Sequence, residues 1–374
     1  MRRLVLLAAC VTGVAGLGHP AAADATHVDP SMPFDHMVVI VEQDHTYDSY
    51  FRDFAPDRSG QRAGIVGLAD SYVLFDSYFA SSAGGTLGNM LDLTTGGTHG
   101  LLFSSKESLT ALSGLDVPTV FDRLDEAGVS WRLFDGGLAA VDPAKVADGS
   151  YLAEGTAVPA SLYRAPVLAM RRTWADPEVR SRIVGQDQFF ADARTGNLPA
   201  FSMVLPSPTD SPSQGGTEGE TRLLSLVNAV EKSSQWDDTA VFVTWDDGGG
   251  QFDSAVPPVG SGLRVPLLLI SPYAKHGYIS HVEHDHLSLL DLIESRFELR
   301  SLRSQPGTSP SFDDAFDVSA GPRAPVVGTG AGLPPTPVGT SRQNLQTVLL
   351  YAIGFVAAAL VARAGWLRQR QRAL

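Results

Sequence analysis

Between residues 34 and 300, short apolar runs alternate with stretches whose apolar residues recur every three or four positions. Residues 37–41, 130–134, 199–205, 240–245 and 265–270 are rich in β-branched and aromatic side chains and read as strands. Residues 119–127, 219–233 and 286–297 have helical spacing, with Leu223, Leu226, Val227 and Val230 on one face of the second. Such alternation predicts an α/β fold, a largely parallel sheet covered by helices. Residues 136–195 read as irregular and polar, an expected insertion or cap over one sheet edge, and no internal repeat is visible.

The ends follow another pattern. Met1-Arg2-Arg3, an apolar run from Leu4 to Leu17 and Ala21-Ala22-Ala23 match a secretory signal peptide, with cleavage expected after Ala23 or Ala25. Leu7-Ala8-Ala9-Cys10 also resembles a lipoprotein box, but the apolar run before Cys10 is very short and continues past it. Residues 318–343 are rich in Gly, Pro, Ala and Thr and read as a semi-extended linker. Residues 344–362 carry no charge, and with Arg363 snorkelling the span to 367 is long enough for a membrane helix. Arg368, Arg370 and Arg372 follow, which places the tail 368–374 inside and the body 24–317 outside the cell membrane. An amphipathic or core helix is the competing reading of 344–367.

Composition narrows the function. Seven arginines and no acidic residue lie in 1–23 and 341–374, leaving 21 basic and 41 acidic residues between them, a net −20. So acidic a body argues against nucleic acid as a partner. The single cysteine, Cys10, excludes disulfides, thiol nucleophiles and cysteine zinc clusters from the body.

Four segments carry candidate chemistry. The run Thr239–Trp245 ends in Asp246 and Asp247, followed by Gly248-Gly249-Gly250. Adjacent carboxylates at a strand's carboxyl end, with no Lys or Arg nearby in sequence, call for a cation. Asp253 is a supporting candidate. After the first strand comes a polar cluster, Glu42-Gln43-Asp44-His45-Thr46-Tyr47-Asp48, which reads equally as a ligand site or as a solvated loop with Asp48 capping a helix. Gly84-Gly85-Thr86-Leu87-Gly88-Asn89 leads into a helix expected to end at Gly96-Gly97. Thr86 there is either a simple N-cap or, beside a metal and the positive end of the helix, a nucleophile. In His281-Val282-Glu283-His284-Asp285-His286, His281 and Asp285 are supporting candidates, and the run reads as polar helix-start residues or as metal ligands.

These segments, taken in order, resemble a bacterial phosphoesterase family that includes phosphatidylcholine-type phospholipases C and a periplasmic acid phosphatase, with an alkaline-phosphatase-like fold. The family's Glu-Asn-x-Ser/Thr-Phe-Asp-x-Tyr-Phe corresponds to residues 43–51, its Gly-Pro-Ser/Thr-x-Pro-Asn to 84–89, and its strand with paired acids to 236–254. The block Arg-Val-Pro-Leu-x-x-Ile-Ser-Pro-Tyr-Ala-Lys-x-Gly-Tyr is nearly complete at 264–278, and the likeness extends over roughly 34–325. It implies a three-layer α/β/α sandwich that hydrolyses small-molecule or lipid phosphoesters. It also implies a divalent metal ion, Ca, Mg or Mn rather than Zn, on Gln43, Asp44, Asp246 and Asp247. Thr86 becomes the implied nucleophile and Asn89 a ligand of a phosphate oxygen. The chain departs from the pattern in four places. The acid-then-amide ligand pair is Gln43-Asp44, Ser211-Pro212 stands for His-Pro, Ser254 replaces a histidine, and glycines replace the prolines around the nucleophile. These departures motivate the rival expectation of a surface binding protein on a catalytically decayed scaffold. Sulfate-ester chemistry, which commonly uses a modified Cys or Ser, is a third reading that the cysteine-free body disfavours.

Overall fold

The computed structural model describes residues 32–57, 63–207, 217–303, 309–319 and 321–326. The signal segment with Cys10, the position of Ser211-Pro212, the span 344–367 and the tail 368–374 lie outside them. Among the described residues no helix is long and apolar enough to cross a membrane.

The strands are, in chain order, β1 (His36–Glu42), β2 (Val73–Phe75), β3 (Tyr78–Phe79), β4 (Trp131–Asp135), β5 (Ile183–Gly185), β6 (Phe201–Leu205), β7 (Thr239–Trp245), β8 (Leu267–Ile270), β9 (Tyr278–Ser280) and β10 (His284–Asp285). Eight form one sheet in the order β5-β4-β6-β1-β7-β8-β2-β9, and β10 pairs with β3 apart from it. Helices cover both faces, which is the expected three-layer arrangement. Every pairing in the large sheet is parallel except those of β8, which runs against both neighbours. β1 and β7 are buried along nearly their whole length on both faces, as a central parallel strand requires. Their register pairs Glu42 with Trp245, so the two chains leave the sheet side by side.

The segment 136–195 departs from the expected irregular cap. It holds several short helices, the helix Asp187–Thr195 and the edge strand β5. Elements of three to six residues are too short to show a period. The short helix Ser161–Arg164 carries Arg164, 2% exposed, over the carboxyl ends of two strands. Its guanidinium donates to Val41 O of β1 at 3.1 Å and to Pro206 O just beyond β6.

Packed structure also runs past residue 317, the boundary expected from composition. Trp236 Nε1 donates to Arg323 O at 2.9 Å, Arg323 to Ala274 O at 2.8 Å, and Val326 N to Tyr72 Oη at 3.0 Å. Tyr72 in turn donates to buried Glu231 at 2.5 Å. Burial pushes the Glu231 carboxyl up to about 7. The fold therefore favours protonated Glu231. Its contribution is complete below the ordinary carboxylate range near 4.5 and is lost as pH rises through about 7. Glu231→Gln should leave the Tm unchanged near pH 4 and raise stability at pH 8, by on the order of 2 kcal/mol. Denaturant unfolding at the two pH values measures it.

Candidate active site

The β1–β7 register sets the site. Asp246 N donates to Glu42 O at 3.0 Å, carrying the ladder one residue past the strands. Asp44 then turns back with φ 61°, a left-handed conformation that Asp adopts more readily than most residues. In that turn Asp44 N donates to Asp246 Oδ1 at 3.2 Å, and Asp247 N donates to the same oxygen at 2.8 Å. Gly249, itself at φ 56°, closes the loop from the other side. A Cβ there would sit 2.5 Å from Asp44 Cβ and 2.7 Å from Asp44 O, so only glycine lets the two turns touch. Gly249 N donates to Asp247 Oδ1 at 2.6 Å.

Carboxylate oxygens of Asp44, Asp246 and Asp247 consequently gather within 4.8 Å of one another. Asp246 is 1% exposed, and its Oδ2 has no hydrogen-bond partner among the described residues. Burial raises the pKa of all three. The Asp247 charge adds to the rise at Asp246, while the Arg164 guanidinium opposes it at Asp44 and Asp246. Arg164 is the nearby cation that sequence spacing does not reveal, since it stands 120 residues after Asp44 and 82 before Asp246. An all-oxygen cluster with one buried, unpaired carboxylate oxygen fits a hard divalent cation such as Mg²⁺, Mn²⁺ or Ca²⁺. Gln43, buried beside Asp44, directs its main-chain carbonyl at His45 Nδ1, 3.2 Å away.

Thr86 faces this cluster. It is the first residue of the helix Thr86–Thr95, whose N-cap is Gly85 with no side-chain cap, so Thr86 is not the capping residue. Its Oγ1 donates to Asp247 Oδ2 at 3.2 Å. The preceding turn is tightly held. Gly85 N donates to Leu102 O at 3.0 Å, and a Cβ on Gly84 would meet the same carbonyl at 2.4 Å.

The remaining candidates divide between the site and its frame. Asn89 is fully buried and turned back on the turn, accepting from Ser82 N at 2.9 Å and donating to Ser82 O and Gly85 O at 3.3 Å. It shapes the turn that presents Thr86, and its amide is occupied there rather than open to a phosphate oxygen. Asp48 and Asp253 are joined by Arg264, which donates to them at 2.9 and 3.0 Å. Asp253 also accepts from Asp48 N at 3.0 Å, and Ser254, the histidine's replacement, donates its N–H to Asp48 at 2.9 Å. This clamp ties the loop after β1 to the loop after β7. His281 is exposed and lies 2.7 Å from Asp76, and Asp285 caps the helix His286–Arg296 in a reciprocal box with Ser288. The histidine that reaches the cluster is His286, which sequence reasoning did not single out. Its Nε2 donates to Asp246 O at 3.0 Å and its Nδ1 lies 2.8 Å from Tyr78 Oη, while burial lowers the pKa of the ring.

Asp246→Asn removes one charge from three crowded carboxylates while keeping the Oδ1 acceptor. Burial pushes the Asp246 carboxyl up to about 8, so without added metal the variant should match the parent near pH 4 and be more stable by about 1–3 kcal/mol at pH 9, where the parent carries a buried unpaired charge. It should also lose any rise in Tm that Mn²⁺, Mg²⁺ or Ca²⁺ gives the parent. Differential scanning calorimetry with and without chelator measures both signs.

Phospholipase C B of Mycobacterium tuberculosis is 27% identical over 271 residues, covering 62% of this chain and 49% of that protein. Non-specific phospholipase C1 of Arabidopsis thaliana is 25% identical over 295 residues, covering 68% and 50%. The chain thus spans about half the length of the curated relatives it matches. Among solved structures, the phosphonate monoester hydrolase of Agrobacterium radiobacter aligns with a TM-score of 0.41 at 15% identity, over 71% of this chain and 74% of that one. The lipoteichoic acid synthase LtaP of Listeria monocytogenes aligns with a TM-score of 0.45 at 12% identity, over 74% and 75%. The sequence profile of the Phosphoesterase family matches residues 58–300, which include Thr86, Asp246, Asp247 and Arg264, and on that match the chain belongs to the Phosphoesterase family.

Proposed function

We propose that the protein is a phosphoric ester hydrolase that uses Thr86 as nucleophile. The observation that carries the reading is the Thr86 hydroxyl, 3.2 Å from Asp247 Oδ2, at a helix start with no side-chain cap and beside three clustered carboxylates. Family membership and the phospholipase C names of its relatives support the reaction class. Asp44, Asp246 and Asp247, with Gln43 beside them, would hold a divalent cation, which when bound would supply Lewis acidity to the reaction.

The chain's own residues do the rest. Asp247 Oδ2 accepts the hydrogen bond of Thr86 Oγ1 and aims the oxygen. The free N–H groups of the first helical turn face the phosphate, where the helix end favours negative charge. Thr86 Oγ1 passes its proton to Asp247 Oδ2, the oxygen it already donates to, and forms a bond to phosphorus as the ester oxygen departs; Asp247 returns that proton when the phosphothreonine is cleaved. The departing ester oxygen takes its proton from water, since serines stand at the two positions where the family pattern has histidines. Water then cleaves the phosphothreonine, restoring the hydroxyl and releasing phosphate or a phosphomonoester. His286 holds the Asp246 main chain, and Asn89 holds the turn before Thr86.

The signal-peptide pattern, the 344–367 run and the arginines behind it support a body held outside the cell membrane by a C-terminal helix. Thr86→Ala should reduce hydrolysis of chromogenic phosphomonoesters and phosphodiesters by at least about a thousandfold, with unchanged Tm. Retained turnover in that variant rules out the nucleophile. Deleting residues 344–374 should move the protein from the membrane pellet to the soluble fraction. A protein that stays in the pellet removes the anchor reading.

A further inference from the structure

Among the described residues, six large apolar side chains are well exposed, and four of them sit on two loops beside the site. Phe103 is 62% exposed and Leu102 40%, while Val256 is 89% exposed and Val259 fully so. Both loops hang from the segment that carries Thr86. Leu102 O receives Gly85 N at 3.0 Å, Gly262 N donates to Ala80 O at 2.8 Å, and Ala80 N donates to Leu263 O at 3.0 Å. The second loop is also the continuation of the Asp246–Gly250 turn. Apolar side chains therefore stand on two loops bonded to the Thr86 segment, and leaving each in water forgoes up to roughly 1.5–3 kcal/mol.

Charge decides what covers them. Residues 99–105 and 254–263 contain no Lys, Arg, Asp or Glu, and the body around them carries a net −20. An anionic membrane attracts basic segments, and these loops offer none. A neutral, zwitterionic lipid surface matches uncharged apolar loops on an acidic body. The uncharged run at 344–362 is a second feature of this sequence suited to lipid.

We propose that Leu102, Phe103, Val256 and Val259 form an apolar rim that seats the site on a zwitterionic lipid surface, with a headgroup phosphate facing Thr86. The proposal rests on the hydrolase reading for what enters the site, and the docking itself requires no turnover.

The test uses the full chain with Cys10→Ser and one fluorophore, on Ser104→Cys beside the rim or on Asp237→Cys. Asp237 precedes β7 at the opposite end of the sheet, about 20 Å from its carboxyl end. With phosphatidylcholine vesicles, the label at 104 should shift to shorter wavelength and be quenched by spin-labelled lipid, while the label at 237 stays unchanged. Val256→Ser with Val259→Ser should raise the lipid needed for half the response at the 104 label by about tenfold or more. Phosphatidylglycerol vesicles should give the weaker response. Equal responses at 104 and 237, no response at 104, or a response at 104 to protein concentration without lipid each overturn the rim. The last of these marks a second copy of the chain as the occupant. Thr86→Ala should dock like its parent. Docking without any phosphoester turnover keeps the rim and removes the hydrolase reading, and turnover of a soluble ester without docking does the reverse.

Discussion

Three carboxylates gathered within 4.8 Å repel one another. At an effective dielectric of about 20, each pair costs roughly 3 kcal/mol, against a whole-domain stability of about 5–15 kcal/mol. The surrounding structure acts against that repulsion. Two main-chain N–H groups converge on Asp246 Oδ1, each contributing about 1.5–3 kcal/mol as a bond to a charged acceptor. Arg164, buried and pinned to main-chain carbonyls, adds a fixed positive charge that cannot swing away. Burial raises all three pKa values, so proton uptake relieves the remainder. None of these supplies a partner for Asp246 Oδ2. A divalent cation answers the repulsion and the unpaired oxygen together, which is why the cluster reads as a cation site and not as a buried ion pair.

That cluster exists only because β1 and β7 leave the sheet in register. A shift of one residue would turn every β1 side chain to the opposite face and separate Asp44 from Asp246. The two loops are then locked at two levels. Near the strands, Gly249 packs on the Asp44 main chain at a distance no side chain permits. Farther out, Arg264 bridges Asp48 and Asp253 and lies 4.1 Å over the Tyr47 ring. The acids at 48 and 253 thus stabilise the geometry of the acids at 44, 246 and 247.

The central elements were legible because each is long and strongly patterned. β1, β7 and the helix Thr217–Glu231 announce themselves by apolar runs or helical spacing, and the two acidic turns follow directly from where the strands stop. The hidden parts have physical reasons for being hidden. β2, β5 and β9 are three residues each, too short for a period. β8 is an apolar run like its neighbours, and such a run carries no sign of direction, so its reversal is invisible. Arg164 and Asn89 act through main-chain contacts fixed by tertiary packing. In the 281–286 run, β10 and the following helix turn His286 inward and leave His281 at the surface. Spacing within six polar residues does not separate those outcomes.

The exchanged ligand pair becomes intelligible through backbone conformation. The family pattern places a long acid before a short amide, and this chain places a long amide, Gln43, before a short acid, Asp44. The charge has moved, but the order of lengths has not. Position 44 sits at φ 61°, where Asn and Asp are the side chains most readily tolerated after glycine. A literal reversal of shape, with Glu or Gln at 44, would strain this turn and push a longer side chain toward Gly249. Exchanging charge while keeping length leaves the turn undisturbed. It moves the carboxylate from 43 onto the residue whose N–H already binds Asp246, within 4.8 Å of the β7 acids. The substitution is therefore a redistribution of charge within a preserved backbone, and the glycine at 249 that the backbone demands is still in place.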